Sequence, residues 1–246
     1  RYNSGYKGAL LISGESYSGK SFLAQYIVNK LMYKNNFLPV NPPHSGSINR
    51  SDFKQALISA TDKSGEYDDI FSNLPANSVI LFEDIDLWWE NTPDGMQIIE
   101  LILHIIRKYS DQYLFIITLN KQTFSLINKI DNIEHYFLSL IHCEPMNAKD
   151  LDKAIMLRHA SGNLKLKLGK QPENKLKPQA RARLFSKYYS YSRGNIGIAL
   201  QTWIHNIRDI NNGIIQITEP KIPDLEKLKH LEPKWYITIS QIILHR

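Results

Sequence analysis

Short apolar runs alternate with helical patterns over residues 8–143 of the chain. Continuous apolar runs such as YLFIITL at 113–119 are typical of strands that are buried on both faces of a sheet. These runs predict strands at 8–13, 37–40, 78–83, 113–119 and 136–141. Between the runs, apolar residues with helical spacing predict helices at 21–33, 51–62 and 93–109. Strands separated by helices predict an α/β fold with a parallel sheet flanked by helices.

The pattern changes after Pro145. Helical spacing predicts helices at 148–160, 178–189, 195–210, 224–230 and 235–245. Apolar and polar residues alternate over 163–168, as in an exposed strand or hairpin arm, and 214–218 is a second candidate strand. This half of the chain is therefore predicted to be mostly helical.

The order of these elements predicts three parts. Residues 1–145 form an α/β core, 146–212 form a smaller helical domain, and 213–246 form a connector that begins a truncated C-terminal module. The chain starts at Arg1 rather than at a methionine, and it ends inside the apolar pattern of 235–245. We therefore expect it to be a piece of a longer polypeptide.

Composition narrows the class of protein. The 246 residues are 43% hydrophobic and 22% charged, which is typical of a globular chain of one or two domains. A single cysteine, Cys143, excludes a disulfide framework and a Cys-rich zinc site, and it fits a reducing compartment such as the cytoplasm. The net charge of +6 permits contact with nucleic acid without requiring it. No apolar stretch reaches the roughly 18 residues that a membrane span needs.

The segment Gly14–Ser21 carries the clearest chemical signal. It reads GESYSGKS and matches the phosphate-binding pattern G-x-x-x-x-G-K-[ST] between a predicted strand and a predicted helix. The glycines allow the backbone N–H groups to wrap around phosphate oxygens, and the helix start adds a positive end. Lys20 is expected to reach the β- and γ-phosphates, and the Ser21 hydroxyl to bind Mg²⁺. The predicted nucleotide-binding residues of the loop are Gly14, Ser16, Tyr17, Ser18, Gly19, Lys20 and Ser21.

A second signal is the acidic pair Glu83–Asp84 at the end of the predicted strand 78–83. Together with the phosphate loop, it makes the chain resemble P-loop NTPases, and specifically the AAA+ superfamily with its STAND-class relatives. The resemblance implies ATP and Mg²⁺ as ligands. In AAA+ proteins this strand usually ends in Asp-Glu, where the first acid orders Mg²⁺ and the second polarises the attacking water. By position, Glu83 takes the metal role and Asp84 the catalytic role, with the two residue types reversed. Asp86 extends this acidic edge.

The resemblance also implies a polar residue that senses the γ-phosphate at the end of the strand 113–119. Thr118 and Asn120 both fit, and we prefer Asn120 as a catalytic residue. The alternative for Asn120 is that it only caps the next helix.

The helical domain resembles an AAA+ lid. The sequence GNIGIAL at 194–200 is similar to a lid helix start that often reads Gly-Asp-x-Arg-x-Ala-Leu. Gly197 stands where that arginine would be, so the arginine is either lost or replaced by Arg193, which we include among the nucleotide-binding residues. The helix at 235–245 resembles the start of a winged-helix module.

Two further features each have two interpretations. The tryptophans Trp88 and Trp89 either form a partner surface or a cover over the nucleotide cleft, or they pack at the sheet edge with one of them exposed. The lysine-rich segment near 163–177 is either a solvated hairpin inserted in the lid or a nucleic-acid contact.

The function predicted from the sequence is an ATP-binding module. We expect Mg²⁺-dependent ATP hydrolysis coupled to conformational switching of attached domains, with ATP or ADP as the bound partner and self-association as a further possibility. One alternative is a DNA-binding initiator or transposition-type regulator that binds DNA through the C-terminal module. The other is a nucleotide-binding scaffold with little hydrolysis.

Overall fold

The computed structural model describes residues 7–31, 36–42, 49–88, 96–169, 171–172, 175–221 and 225–244. These residues divide into two compact units, unit 1 at Arg1–Pro145 and unit 2 at Met146–Arg246. Each unit has its own hydrophobic core.

Unit 1 is built on a five-stranded parallel sheet, which confirms the fold class predicted from the sequence. Its strands are β1 (Gly8–Gly14), β2 (Phe37–Val40), β3 (Val79–Phe82), β4 (Leu114–Asn120) and β5 (Ser139–Cys143). Its helices are α1 (Lys20–Lys30), α2 (Arg50–Thr61), α3 (Tyr67–Ser72), α4 (Gln97–Tyr109) and α5 (Lys121–Ile130). The strand order is β2-β3-β4-β1-β5, with every neighbouring pair parallel.

The sheet of unit 1 is covered on both faces, which explains its continuous apolar strands. In β1, Leu11 packs in the cluster with α2, α3 and α4, whereas its neighbour Ile12 packs in the cluster with α1. The four residues of β3 are all buried. Because side chains alternate across a strand, only an unbroken apolar run places apolar groups in both layers.

Trp88 belongs to the core of unit 1. It lies in a short 3₁₀ turn (Ile85–Trp88) after β3 and is fully buried. Its ring packs edge-on against the Phe53 ring, with 5.3 Å between the ring centroids. Of the two interpretations of the tryptophan pair, packing is the correct one for Trp88. Trp89 lies outside the described residues.

Unit 2 combines helices with a small sheet. Its helices are α6 (Ala148–Ala160), α7 (Pro178–Ser192), α8 (Ile196–His205) and α9 (Pro233–Leu244). Its strands are β6 (Lys165–Leu168), β7 (Gln171–Pro172), β8 (Ile207–Asn211) and β9 (Ile214–Ile217), in the order β7-β6-β9-β8.

The helix predicted over 195–210 is too long, because β8 occupies its last residues. The helix ends at His205, and β8 then pairs antiparallel with β9. Asn212 and Gly213 connect the two strands and both have positive φ, 49° and 73°. An Asn-Gly pair of this kind is the preferred two-residue hairpin turn, so the sequence does contain the signal for this hairpin.

The small sheet packs into the core of unit 2. Leu166, Ile215 and Ile217 are buried with the residues of α6, α7 and α8, among them Leu184 and Trp203. Strand β6, which lies in the lysine-rich segment, pairs parallel with β9, which the sequence assigns to the connector. The sequence boundary at 212/213 therefore falls inside the β8–β9 hairpin.

None of the helices formed by the described residues is both long enough and apolar enough to cross a membrane.

Candidate phosphate-binding site

The predicted site residues of unit 1 meet at one edge of the sheet. Gly14, the last residue of β1, lies in register with Asn120 at the end of β4 and with Cys143 at the end of β5. The acids Glu83 and Asp84 follow directly on β3, which is the other neighbour of β4. The carboxyl ends of parallel strands form the usual ligand-binding edge of an open α/β sheet.

The loop between β1 and α1 presents backbone N–H groups. Tyr17 and Gly19 have φ of 65° and 95°, and the Ser18 N–H donates to the Glu15 carbonyl at 3.1 Å. Gly19 is the N-cap of α1, where no side chain caps the helix and no acid stands in the first turn. The positive end of α1 is therefore available to an anion.

Lys20 places a positive charge at this helix start. The residue is only 8% exposed. Lysine is rarely buried to this extent unless its ammonium group has partners. Its Nζ donates to the Glu15 carbonyl oxygen at 3.2 Å and lies 3.9 Å from Asp84 Oδ1. Nearby, the Ser18 hydroxyl is buried beside the Cys143 thiol; burial raises the pKa of that thiol, and the Ser18 hydrogen bond opposes the shift. A buried cation and an uncapped helix start together fit a bound phosphate group.

Gly14 is required by the close approach of the loop to β5. A Cβ built on Gly14 would lie 2.5 Å from Ser18 Oγ and 2.8 Å from Cys143 Cβ. At contacts below 3.0 Å one of the two atoms has to shift. Cys143 Cβ cannot shift easily, because it is attached directly to the backbone of β5.

We expect Gly14→Ala to destabilise the chain by about 1–3 kcal/mol, the usual cost of overpacking a tight site. Urea unfolding of the variant checks this, with Gly162→Ala as the control. A Cβ on Gly162 meets its nearest atom at 3.4 Å, so that variant should unfold close to wild type. Equal unfolding midpoints for the two variants would show that the loop shifts freely.

The two acids after β3 have different surroundings. The Glu83 N–H donates to the Val40 carbonyl at 3.2 Å, which extends the pairing of β3 with β2. Asp84 has a φ of 42°, and its N–H donates to the Thr118 hydroxyl at 2.7 Å. That hydroxyl donates in turn to Asp84 Oδ1 at 3.3 Å. Asp84 is therefore the acid that β4 holds toward Lys20.

Asn120 caps α5 and also faces the loop. Its Oδ1 accepts the Gln122 N–H at 2.9 Å, so Asn120 does cap this helix. Its Nδ2 lies 3.5 Å from Ser16 Oγ, and its own N–H donates to Asp86 Oδ1 at 2.8 Å. Burial raises the pKa of the Asp86 carboxyl, and the hydrogen bond from Asn120 opposes that shift. A role of Asn120 toward a γ-phosphate stays a prediction.

Arg193 lies in unit 2, at the end of α7. It has a left-handed backbone (φ 52°), as does Gly194 (φ 84°), and Asn195 then caps α8 by accepting the Ile198 N–H at 3.2 Å. The tight turn and the helix cap give this segment a structural role. The assignment of Arg193 to nucleotide binding stays a prediction.

Sequence reasoning missed the support beneath the loop. Ser13, which precedes Gly14, is fully buried, and its Oγ lies 2.5 Å from His142 Nδ1. The residues are 129 positions apart, and only the register of β1 with β5 brings them together.

The described residues contain no group of three or more His, Cys, Asp or Glu side chains that could hold a metal ion. Mg²⁺ at nucleotide sites uses one or two carboxylates together with phosphate oxygens and water. The assignment of Ser21 and Glu83 to such a site stays a prediction.

Comparison with known proteins identifies the fold. No protein-family model matches the chain, and no curated protein sequence matches it. The structure is similar to a mutant of RuvB from Thermotoga maritima, with a TM-score of 0.54 and 13% identity over 87% of this chain and 60% of that one. It is also similar to the Orc1 protein of Aeropyrum pernix in complex with DNA, with a TM-score of 0.54 and 15% identity over 79% of this chain and 52% of that one.

The fold shared with RuvB and Orc1 is that of the AAA+ P-loop ATPases. The resemblance predicted from the phosphate loop and the acidic strand is therefore confirmed at the level of fold. The chain spans between about half and 60% of the length of these proteins.

Proposed function

We propose that this chain is a nucleotide-binding module that binds ATP with Mg²⁺ and hydrolyses it. The observation that carries the proposal is the placement of Lys20, a buried ammonium group at the uncapped start of α1 and 3.9 Å from Asp84. A lysine and free N–H groups in this arrangement bind the β- and γ-phosphates of a nucleoside triphosphate.

The loop residues bind and orient the triphosphate. The N–H groups at the start of α1 donate to phosphate oxygens, and Lys20 neutralises charge on them. Ser21 and Glu83 are the residues that would hold Mg²⁺, which when bound neutralises charge on the phosphates.

Asp84 is the candidate for polarising the attacking water. Thr118 fixes its carboxylate and its backbone from β4, so the side chain has little freedom to turn away. Asn120 is the candidate for sensing the terminal phosphate, and the position of its Nδ2 3.5 Å from Ser16 Oγ supports this role. In catalysis of this kind the protein supplies position and charge and forms no covalent bond to the phosphate.

We expect Thr118→Val to slow ATP turnover and to destabilise the chain by about 1–3 kcal/mol, because the partly buried Asp84 N–H loses its acceptor. Thr118→Ser keeps the hydroxyl and should preserve turnover. Phosphate release and urea unfolding of both variants check this. A valine variant with wild-type turnover would remove Thr118 from the positioning of Asp84.

The biological role proposed for the module is that of a switch, in which ATP binding and hydrolysis change the conformation of attached domains. The likeness in fold to RuvB and Orc1 supports the proposal, and the lone cysteine is compatible with a cytoplasmic protein.

The experiment that tests the proposal is release of inorganic phosphate from ATP by the purified chain. Release should require Mg²⁺ and should stop when the metal is chelated. ATP binding without any Mg²⁺-dependent release would favour the scaffold alternative, and absence of both would overturn the proposal.

A further inference from the structure

The charge of the chain is divided unequally between the two units. Residues 1–145 contain 12 Lys or Arg and 16 Asp or Glu. Residues 146–246 contain 18 Lys or Arg and 8 Asp or Glu. The overall +6 therefore combines −4 in unit 1 with +10 in unit 2. The segment 158–183 alone has eight cations and one acid, Glu173. A strong charge asymmetry between halves of a chain is typical of contact with an anionic partner, such as nucleic acid or a membrane surface.

The acids of unit 2 do not compensate this segment. Those in the described residues are engaged by neighbours: Asp150 by Lys153, Asp152 by Arg181, Glu219 by Lys187, Glu226 by Lys229, Glu232 by Lys234, and Asp209 by Asn211. Over the same described residues, no carboxylate forms an ion pair with Lys165, Lys167, Lys175, Lys177 or Arg183. Their positive charge is available to an external anion.

Strand β6 arranges two of these cations in a row. Leu166 is buried in the core, so Lys165 and Lys167 lie on the opposite, outer face of the sheet. Lys165 is exposed and Lys167 partly so. Alternate residues of a β-strand are about 6.6 Å apart. One strand of a nucleic-acid duplex carries a phosphate about every 3.4 Å along the helix axis, so the distance between the two lysines corresponds to about two phosphate steps.

An amide side chain extends the row to the next strand. Gln216 of β9 is half-buried and lies in register with Lys167 on one side and with the exposed acid Asp209 of β8 on the other. The amide of Asn211, also on β8, donates to that carboxylate, so the positive part of the face is limited to β6. We name Lys165, Lys167 and Gln216 together the β6 face. Lysine and amide side chains are common donors to phosphate oxygens.

We propose that the β6 face binds the sugar-phosphate backbone of nucleic acid without reading its sequence. The surface lies wholly within unit 2 and does not depend on the phosphate loop. It is also separate from any site in a further C-terminal module, where the sequence placed the DNA contact. Lysines act here as point charges, so the affinity should fall steeply with salt.

The test is the salt dependence of binding by the full chain, measured by fluorescence anisotropy with a labelled DNA duplex of random sequence and a matched single strand. We expect the double variant Lys165→Gln with Lys167→Gln to bind on the order of tenfold more weakly at low salt. Its log–log salt slope on duplex should be smaller by about 1.8, since each lost phosphate contact removes about 0.9.

The matched control is Lys229→Gln with Lys234→Gln, which removes the same charge from unit 2 at two lysines that are already ion-paired. The control should keep the wild-type slope, and circular dichroism should show both variants folded. The proposal is overturned if the wild type shows no salt-dependent binding, or if both double variants lose the same slope. Tighter binding to phosphatidylserine vesicles than to either DNA would also overturn it and assign the face to a lipid surface.

Discussion

Lys20→Ala is expected to weaken ATP binding by about 100-fold or more. The ammonium group is buried at the start of α1, where it is held by the Glu15 carbonyl and lies near Asp84. A charge-assisted hydrogen bond to phosphate in a partly desolvated site contributes about 1.5–3 kcal/mol, and its removal also leaves Asp84 to repel the phosphates. Isothermal titration calorimetry with ATP and Mg²⁺ measures the loss directly.

The matched control for this change is Lys30→Ala, which removes one positive charge from the other end of the same helix. Lys30 is exposed, and its Nζ lies 5.5 Å from the centroid of the Tyr26 ring, so this variant should bind ATP as the wild type does. Thermal unfolding of both variants establishes that they are folded. Wild-type ATP affinity in a folded Lys20→Ala variant would contradict the assignment of the phosphate loop.

Asp84→Asn is expected to slow ATP turnover by about 100-fold or more and to leave ATP binding intact, because removal of a general base typically costs a factor of 10²–10⁴. Asparagine keeps an oxygen that can accept from the Thr118 hydroxyl, so the local structure should be preserved. Single-turnover phosphate release with saturating ATP and Mg²⁺ separates the chemical step from binding.

Two further variants help to interpret the effect of Asp84→Asn on ATP turnover. Asp111→Asn changes an exposed acid in the turn before β4, at the opposite edge of the sheet, and should turn over at the wild-type rate. Glu83→Gln should raise the Mg²⁺ concentration needed for turnover if Glu83 takes the metal role. A wild-type chain that is no faster than Asp84→Asn would support the scaffold alternative instead.

The features that the sequence predicted best are local in the chain. The turn between β1 and α1 is specified by the residues at 14–21 and by the strand and helix on either side, and the buried strands are recognisable as unbroken apolar runs. Helix α8 shows the limit of such reasoning, because its apolar pattern continues into Ile207 and Ile210 while an Asn-Gly turn redirects these residues into a hairpin. One partner of β6 is β9, almost 50 residues later, and no local pattern specifies that pairing.

Part of the candidate site could not be predicted for the same reason. Thr118 and Asp84 are 34 positions apart, as are Asn120 and Asp86, and their hydrogen bonds depend on how β3 and β4 are aligned. The sequence offered Thr118 and Asn120 as alternatives for one role. The structure gives them different tasks: Thr118 holds Asp84, and Asn120 caps α5 beside the loop.

The proposed binding of ATP phosphates by the loop from Gly14 to Ser21 can be tested by an experimental structure of the chain with a non-hydrolysable ATP analogue and Mg²⁺. We predict that the β-phosphate lies within hydrogen-bond distance of Lys20 Nζ and of the N–H groups at the start of α1, with the Ser21 hydroxyl on the metal. A nucleotide bound elsewhere, with Lys20 still paired to Asp84 and Glu15, would contradict the proposed binding.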